Sequence, residues 1–147
     1  MSTLGLSMIV RDAAEWLPDC LASARPVASE IVIADTGSAD GTISVAQSLG
    51  ARVVSIRWQN DFAAARNLAL GEMKADWVLS LDADELLDVS ALLQIPALLR
   101  KTSADGFQVT IRNYVLSLED RVWDRPAVPN TSSLPAAAKY PACVILV

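Results

Sequence analysis

Two carboxylates one residue apart, in Asp82-Ala83-Asp84, are the sharpest chemical feature of this sequence. On an extended backbone, side chains at i and i+2 leave the same face, so both would reach one site. Hard divalent cations such as Mg²⁺ or Mn²⁺ take oxygen ligands, commonly one or two carboxylates plus the phosphates of a substrate. A cation held there would neutralise a departing diphosphate. Taken alone, the tripeptide reads better as a solvated strand end; its place directly after the apolar run Trp77–Leu81 brings the two readings level.

Two further segments could act beside it. In Asp35-Thr36-Gly37-Ser38-Ala39-Asp40-Gly41-Thr42, two glycines allow close backbone approach, and Asp35 suits a hydrogen bond from a nucleobase imide or a ribose hydroxyl. The bland account is a strand–turn–helix connection with Asp and Ser as turn and cap residues. The segment is neither a P-loop nor a GxGxxG fingerprint. In Asp61-Phe62-Ala63-Ala64-Ala65-Arg66-Asn67, Asp61 suits a helix N-cap and Arg66 a phosphate or an aspartate, although taken alone an ordinary surface arginine on a helix is the better account. The four tryptophans, Trp16, Trp58, Trp77 and Trp123, read as core or edge packing rather than stacking platforms. The sequence contains no histidine, which excludes Ser-His-Asp and Cys-His nucleophilic catalysis and histidine-ligated zinc.

These residues need a scaffold, and up to about Arg100 the chain alternates short β-branched runs with helical stretches. Strands are expected at Leu4–Val10, Ile31–Ala34, Arg52–Ile56, Trp77–Leu81 and Gly106–Val115. Helices are expected at Ala13–Ala24, from Asp40 or Thr42 to Leu49 with Gly50 as stop, at Asp61–Lys74, and at Ser90–Arg100 interrupted by Pro96. This alternation implies right-handed crossovers and a three-layer α/β/α sandwich with a mostly parallel sheet. Ligands bind at the carboxyl ends of such strands, where strand order reverses. Arg11, Asp35–Ser38 and Asp82–Asp84 all fall at strand ends.

A chain of 147 residues with 52% hydrophobic and 20% charged residues is one ordinary globular domain, able to bury about 68–70% of its unfolded surface. A net charge of −5 argues against a general nucleic-acid binder. No signal peptide and no membrane-spanning apolar stretch is visible, and Cys20 and Cys143 read as reduced thiols, so a cytoplasmic location is expected. Residues 1–123 read as the binding domain and 124–147 as an extended, Pro-rich segment. The chain stops on the apolar run Val144-Ile145-Leu146-Val147, whose partner strands are expected to follow, which reads as a domain incomplete at its C-terminus.

Taken together, these residues resemble the inverting, nucleotide-sugar-dependent glycosyltransferases of family 2, which have the GT-A fold, and in particular bacterial members that often carry tetratricopeptide repeats. The likeness rests on Ser7-Met8-Ile9-Val10-Arg11, on Glu30–Thr42, on Trp58 followed by Asp61–Asn67, and on Asp76–Glu85. By resemblance, Val10 and Arg11 line the nucleotide pocket, Asp35 hydrogen-bonds the base, usually uracil, and Ser38 and Arg66 lie close to the nucleotide. Asp82 and Ala83 approach the ribose and diphosphate, and Asp82 and Asp84 hold Mn²⁺ or Mg²⁺. The implied donor is a UDP-sugar and the acceptor an unspecified glycan, lipid or protein hydroxyl. Where the family usually has Asn-Glu after the basic residue of its first block, this chain has Asp12-Ala13.

An inverting transfer also needs a base on the face opposite the diphosphate. Glu119 and Asp120 are the nearby carboxylate pair, and solvated loop residues explain them better. The chain thus reads as a donor-binding half. Two rivals stand beside this: a catalytically inactive binding or structural module, and a nucleotidyltransferase, for which Leu4–Asp12 lacks the expected Gly- and Lys/Arg-rich phosphate loop.

Overall fold

The computed structural model describes residues 2–107, 109–113 and 142–146. The elements run β1 (Leu4–Val10), α1 (Leu17–Ala24), β2 (Glu30–Asp35), α2 (Thr42–Ser48), β3 (Arg52–Ser55), α3 (Phe62–Gly71), β4 (Trp77–Ser80), β5 (Glu85–Leu87), α4 (Val89–Lys101), β6 (Val109–Asn113) and β7 (Ala142–Leu146). The main sheet has the order β3-β2-β1-β4 with every neighbouring pair parallel. The chain leaves β1 toward β2 and β3, then returns across the sheet to place β4 on the other side of β1. That reversal makes the gap between the carboxyl ends of β1 and β4 the switch point of the sheet.

Strand periodicity explains the layers. Leu4, Leu6, Met8 and Val10 of β1 and Ile31 and Ile33 of β2 face one way and pack with Leu17, Cys20 and Leu21 of α1 and Ala46 of α2. Val32 and Ala34 face the other way and meet Ala69 of α3, with Ile9, Val54 and Met73 around them. Alanines at 65 and 69, both fully buried, let α3 lie close to the strands. Gly5 serves the same face: a Cβ there would stand 2.8 Å from Met73 Cε. The α/β/α sandwich with a parallel sheet is therefore as expected.

Several expectations need correction. The helix expected from Ala13 begins at Leu17, because Ala13–Trp16 close a turn (Trp16 N–H to the Ala13 carbonyl, 3.0 Å) and Pro18 fits only the first turn of a helix. The helix α4 is not interrupted at Pro96; Ala91 and Ile95 are buried against the core and hold the helix before and at the missing backbone donor. Its cap is Asp88, whose Oδ1 accepts from the Ser90 N–H at 2.7 Å. A second sheet, β5-β7-β6, was not expected. In it β7 pairs parallel with β5 and antiparallel with β6. Glu119, Asp120, Trp123 and most of the segment 124–147 lie outside the described residues.

Candidate functional site

A cleft of about 420 Å³ opens over the carboxyl edge of the main sheet. Ile9, Val10 and Arg11 enter it from the end of β1, Thr36 from the end of β2, Trp58 from the loop after β3, Phe62 and Arg66 from α3, and Asp82 from the segment after β4. Parallel pairing throughout the sheet puts these strand ends on one edge.

The loop after β2 is built around a buried carboxylate. Asp35, 2% exposed, accepts hydrogen bonds from the Gly37 and Ser38 amides, both at 3.0 Å, and from the Ser38 hydroxyl. Gly37 has φ +106°, a backbone that side chains rarely adopt, and this lets the loop fold back onto Asp35. Ser38 in turn accepts from the Asp12 N–H (2.9 Å), while Asp12 accepts from the Ala39 N–H (2.7 Å). Asp12 stands at φ +49°, in the left-handed region that Asp and Asn tolerate best among residues with a side chain. Below it, the buried Thr42 hydroxyl accepts from the Ala13 N–H (2.7 Å) and donates to Asp40, which holds the Asp40 carboxyl below the usual range. The ends of β1 and β2 are thereby tied into one rigid rim.

The acidic segment after β4 has a different geometry from the one its spacing implied. Asp82–Glu85 form a turn, with the Glu85 N–H donating to the Asp82 carbonyl (3.0 Å) and the Asp82 N–H donating to Glu85 Oε2 (2.9 Å). The expectation of an extended backbone is therefore corrected: the chain bends at once into β5. Asp82 lines the cleft, Asp84 is exposed outside the lining, and Ala83 packs on the main core. Arg66 bridges Asp82 (3.4 Å to Oδ1) and the Ser80 hydroxyl (2.7 Å). Burial pushes the Glu85 carboxyl up, against the hydrogen bond it accepts from the Asp82 amide. Cys20, a free and buried thiol, points at the Asp82 carbonyl (3.5 Å). Burial, with the charges of Glu85, Asp84 and Asp82 added, pushes it up to about 12.

Of the residues singled out from sequence, Val10, Arg11, Arg66 and Asp82 come together in the cleft; Asp35 and Ser38 lie in the loop at its rim. Trp58 and Phe62 were missed as site residues. They form an edge-to-face pair on the cleft wall with ring centroids 4.8 Å apart, and Phe62 is 64% exposed. The packing role expected for Trp58 is met by this pair, and the same residue also lines the cleft. Its position just past the carboxyl end of β3 was the available signal. Among the described residues no group of three or more His, Cys, Asp or Glu side chains is disposed to hold a metal ion, and no helix is long and apolar enough to cross a membrane.

Comparison with known proteins matches residues 7–141 to the family described as glycosyl transferase family 2. A TPR repeat-containing protein of Synechococcus elongatus is 43% identical over 109 residues, covering 74% of this chain and 27% of its own length. A lipopolysaccharide core biosynthesis glycosyltransferase of Rhizobium meliloti is 33% identical over 106 residues, covering 69% of this chain and 39% of its own. The chain thus spans well under half the length of either relative. Among solved structures, glucosyl-3-phosphoglycerate synthase from Mycobacterium tuberculosis, in complex with Mn²⁺, UDP and glucosyl-3-phosphoglycerate, superposes with a TM-score of 0.53 at 24% identity, covering 74% of this chain and 42% of that one. At that identity the likeness is one of fold, and the fold is GT-A.

Proposed function

Because the chain belongs to glycosyl transferase family 2, we propose that it forms the donor side of a transferase that takes a sugar from a nucleoside-diphosphate sugar, a UDP-sugar, and delivers it to an acceptor hydroxyl with inversion. The observation that carries this reading is the position of Asp82 and Arg66 together at the switch point of a parallel sheet, in the same cleft as Val10 and Arg11. An anionic ligand lying along that edge meets Arg11 and Arg66, whose guanidinium groups suit phosphate oxygens. The rim built on Asp35 and Ser38 keeps the backbone of the β2–α2 loop fixed beside the nucleoside.

The oxygen donors suit in type a divalent cation that arrives with its nucleotide, although the turn sets Asp82 in the cleft and Asp84 outside its lining. Asp82 and Asp84 are both exposed at the turn. With no third ligand clustered among the described residues, two carboxylates and the substrate's own phosphates would complete the coordination. When bound, Mn²⁺ or Mg²⁺ there supplies charge neutralisation to the leaving diphosphate. Ala83 lies between the two carboxylates and anchors the turn to the core. In the displacement, the acceptor oxygen bonds to the anomeric carbon as the bond to the diphosphate breaks, and the hydroxyl proton goes to a base on the opposite face. Asp82, the carboxylate that lines the cleft among the described residues, is assigned to the diphosphate in this reading and so is not free to act as that base, which favours a rival in which this chain binds the donor without turning it over.

Calorimetric titration of UDP with and without Mn²⁺ tests the proposal; binding strengthened by Mn²⁺ supports it, and no binding under either condition overturns it. Asp84→Ala should remove the metal-dependent part of UDP binding. Hydrolysis of UDP-sugar by the purified chain would dismiss the non-catalytic rival.

A further inference from the structure

Resting on the nucleoside-diphosphate reading above, we infer that Trp58 and Phe62 form the face on which the nucleobase stacks. The cleft is chemically polarised. Across the strand order β3-β2-β1-β4, Trp58 follows β3, Thr36 follows β2, Arg11 follows β1 and Asp82 follows β4. Phe62 and Arg66 stand one turn apart on α3, so the aromatic wall and the charged pair adjoin within one cleft. A ligand filling this cleft needs an anionic end at Arg66 and Asp82 and a flat apolar end at Trp58. A nucleobase joined through ribose to a diphosphate has both.

The local geometry holds the indole in place. Trp58 Nε1–H donates to Asn60 Oδ1 at 3.0 Å, within its own loop, and Asn60 stands at φ +58° immediately before the α3 cap. Asp61 caps α3 by accepting from the Ala64 N–H at 3.0 Å, which fixes where Phe62 begins the helix. Phe62 then meets Trp58 edge-on, with 71° between the ring planes. With its one polar atom satisfied and Phe62 packed beside it, the indole needs no rearrangement to receive a planar ring. A phenylalanine 64% exposed beside it has no core to serve. Stacking of a base on an aromatic side chain is worth a measurable share of nucleotide affinity and tolerates any base, since each has a π-face.

The test compares UDP and pyrophosphate, both with Mn²⁺, by calorimetry on wild type, Trp58→Ala, Trp58→Phe and Phe62→Ala. Trp58→Ala should weaken UDP about five- to hundredfold, Trp58→Phe should retain most of the affinity, and pyrophosphate, which has no base, should bind all variants alike. UDP should also quench indole fluorescence more in wild type than in Trp58→Phe. If wild type binds UDP and both Trp58→Ala and Phe62→Ala bind it equally well, the stacking face is overturned while the donor reading survives. Equal losses of UDP and pyrophosphate in these variants overturn it too, since the residues would then be shaping the cleft as a whole. If wild type binds no UDP, both readings fall. Phe62→Ala and Trp58→Phe keep the test decisive should Trp58→Ala not fold, because Phe62 lies at the surface and the second change keeps a ring in place.

Discussion

The Arg66 guanidinium stands 3.4 Å from Asp82 Oδ1 and 2.7 Å from the Ser80 hydroxyl, so one side chain of α3 reaches across to both the last residue of β4 and the first aspartate of the following turn. The pair is about half exposed on both sides, and exposed ion pairs contribute about 0–1 kcal/mol to stability. Its value lies in the cleft.

Replacing Arg66 by Ala should leave the urea midpoint nearly unchanged while weakening UDP at least tenfold in the presence of Mn²⁺. Arg66→Lys should recover little, because a point ammonium cannot span two oxygens as the planar fork does. A fall in stability as large as the fall in affinity would show Arg66 to be a brace rather than a ligand-binding group.

Asp12 carries a conformational demand and a hydrogen bond at once, at φ +49° with Oδ1 on the Ala39 N–H. Asp12→Ala should destabilise the chain by about 1–2 kcal/mol through the left-handed backbone and the lost acceptor. Asp12→Asn should stay close to wild type, since Asn tolerates the same backbone and offers the same oxygen. Chemical denaturation of the two variants checks this.

The Cys20 thiol, raised to about 12 in the folded chain from 9.0, stays protonated where the unfolded thiol ionises. Above pH 9 the folded state then binds more protons than the unfolded one, so stability falls as pH rises, and continues to fall until about pH 12. Between pH 8 and pH 10 wild type should lose about 1 kcal/mol more than Cys20→Ala. Urea unfolding at the two pH values measures the difference. In the folded protein Cys20 should also resist alkylation at neutral pH, read by mass of the peptide that contains it.

The strands of the main sheet could be read from the chain because parallel strands are short apolar runs set between helical stretches, as Leu4–Val10 is. The strand ends then located Arg11, Asp35 and Asp82 before any coordinates. A three-residue strand such as β5 carries no period, and it escaped for that reason. Local pattern also misjudged Pro96, where burial of Ala91 and Ile95 outweighs one missing backbone donor.

Residue types and their order along the chain determined the layered α/β architecture, the family likeness and the acidic and basic groups available for chemistry. Tertiary structure alone decided which of them share a cleft. The parallel sheet brings the end of β3 to the same edge as the ends of β2, β1 and β4, so Trp58 joins Asp82 in one site although 24 positions separate them in sequence. It also bends Asp82–Glu85 into a turn, and closes Asp35 over its own loop. Spacing along a chain records what a backbone can present; the direction each side chain takes depends on partners contributed from elsewhere in the fold.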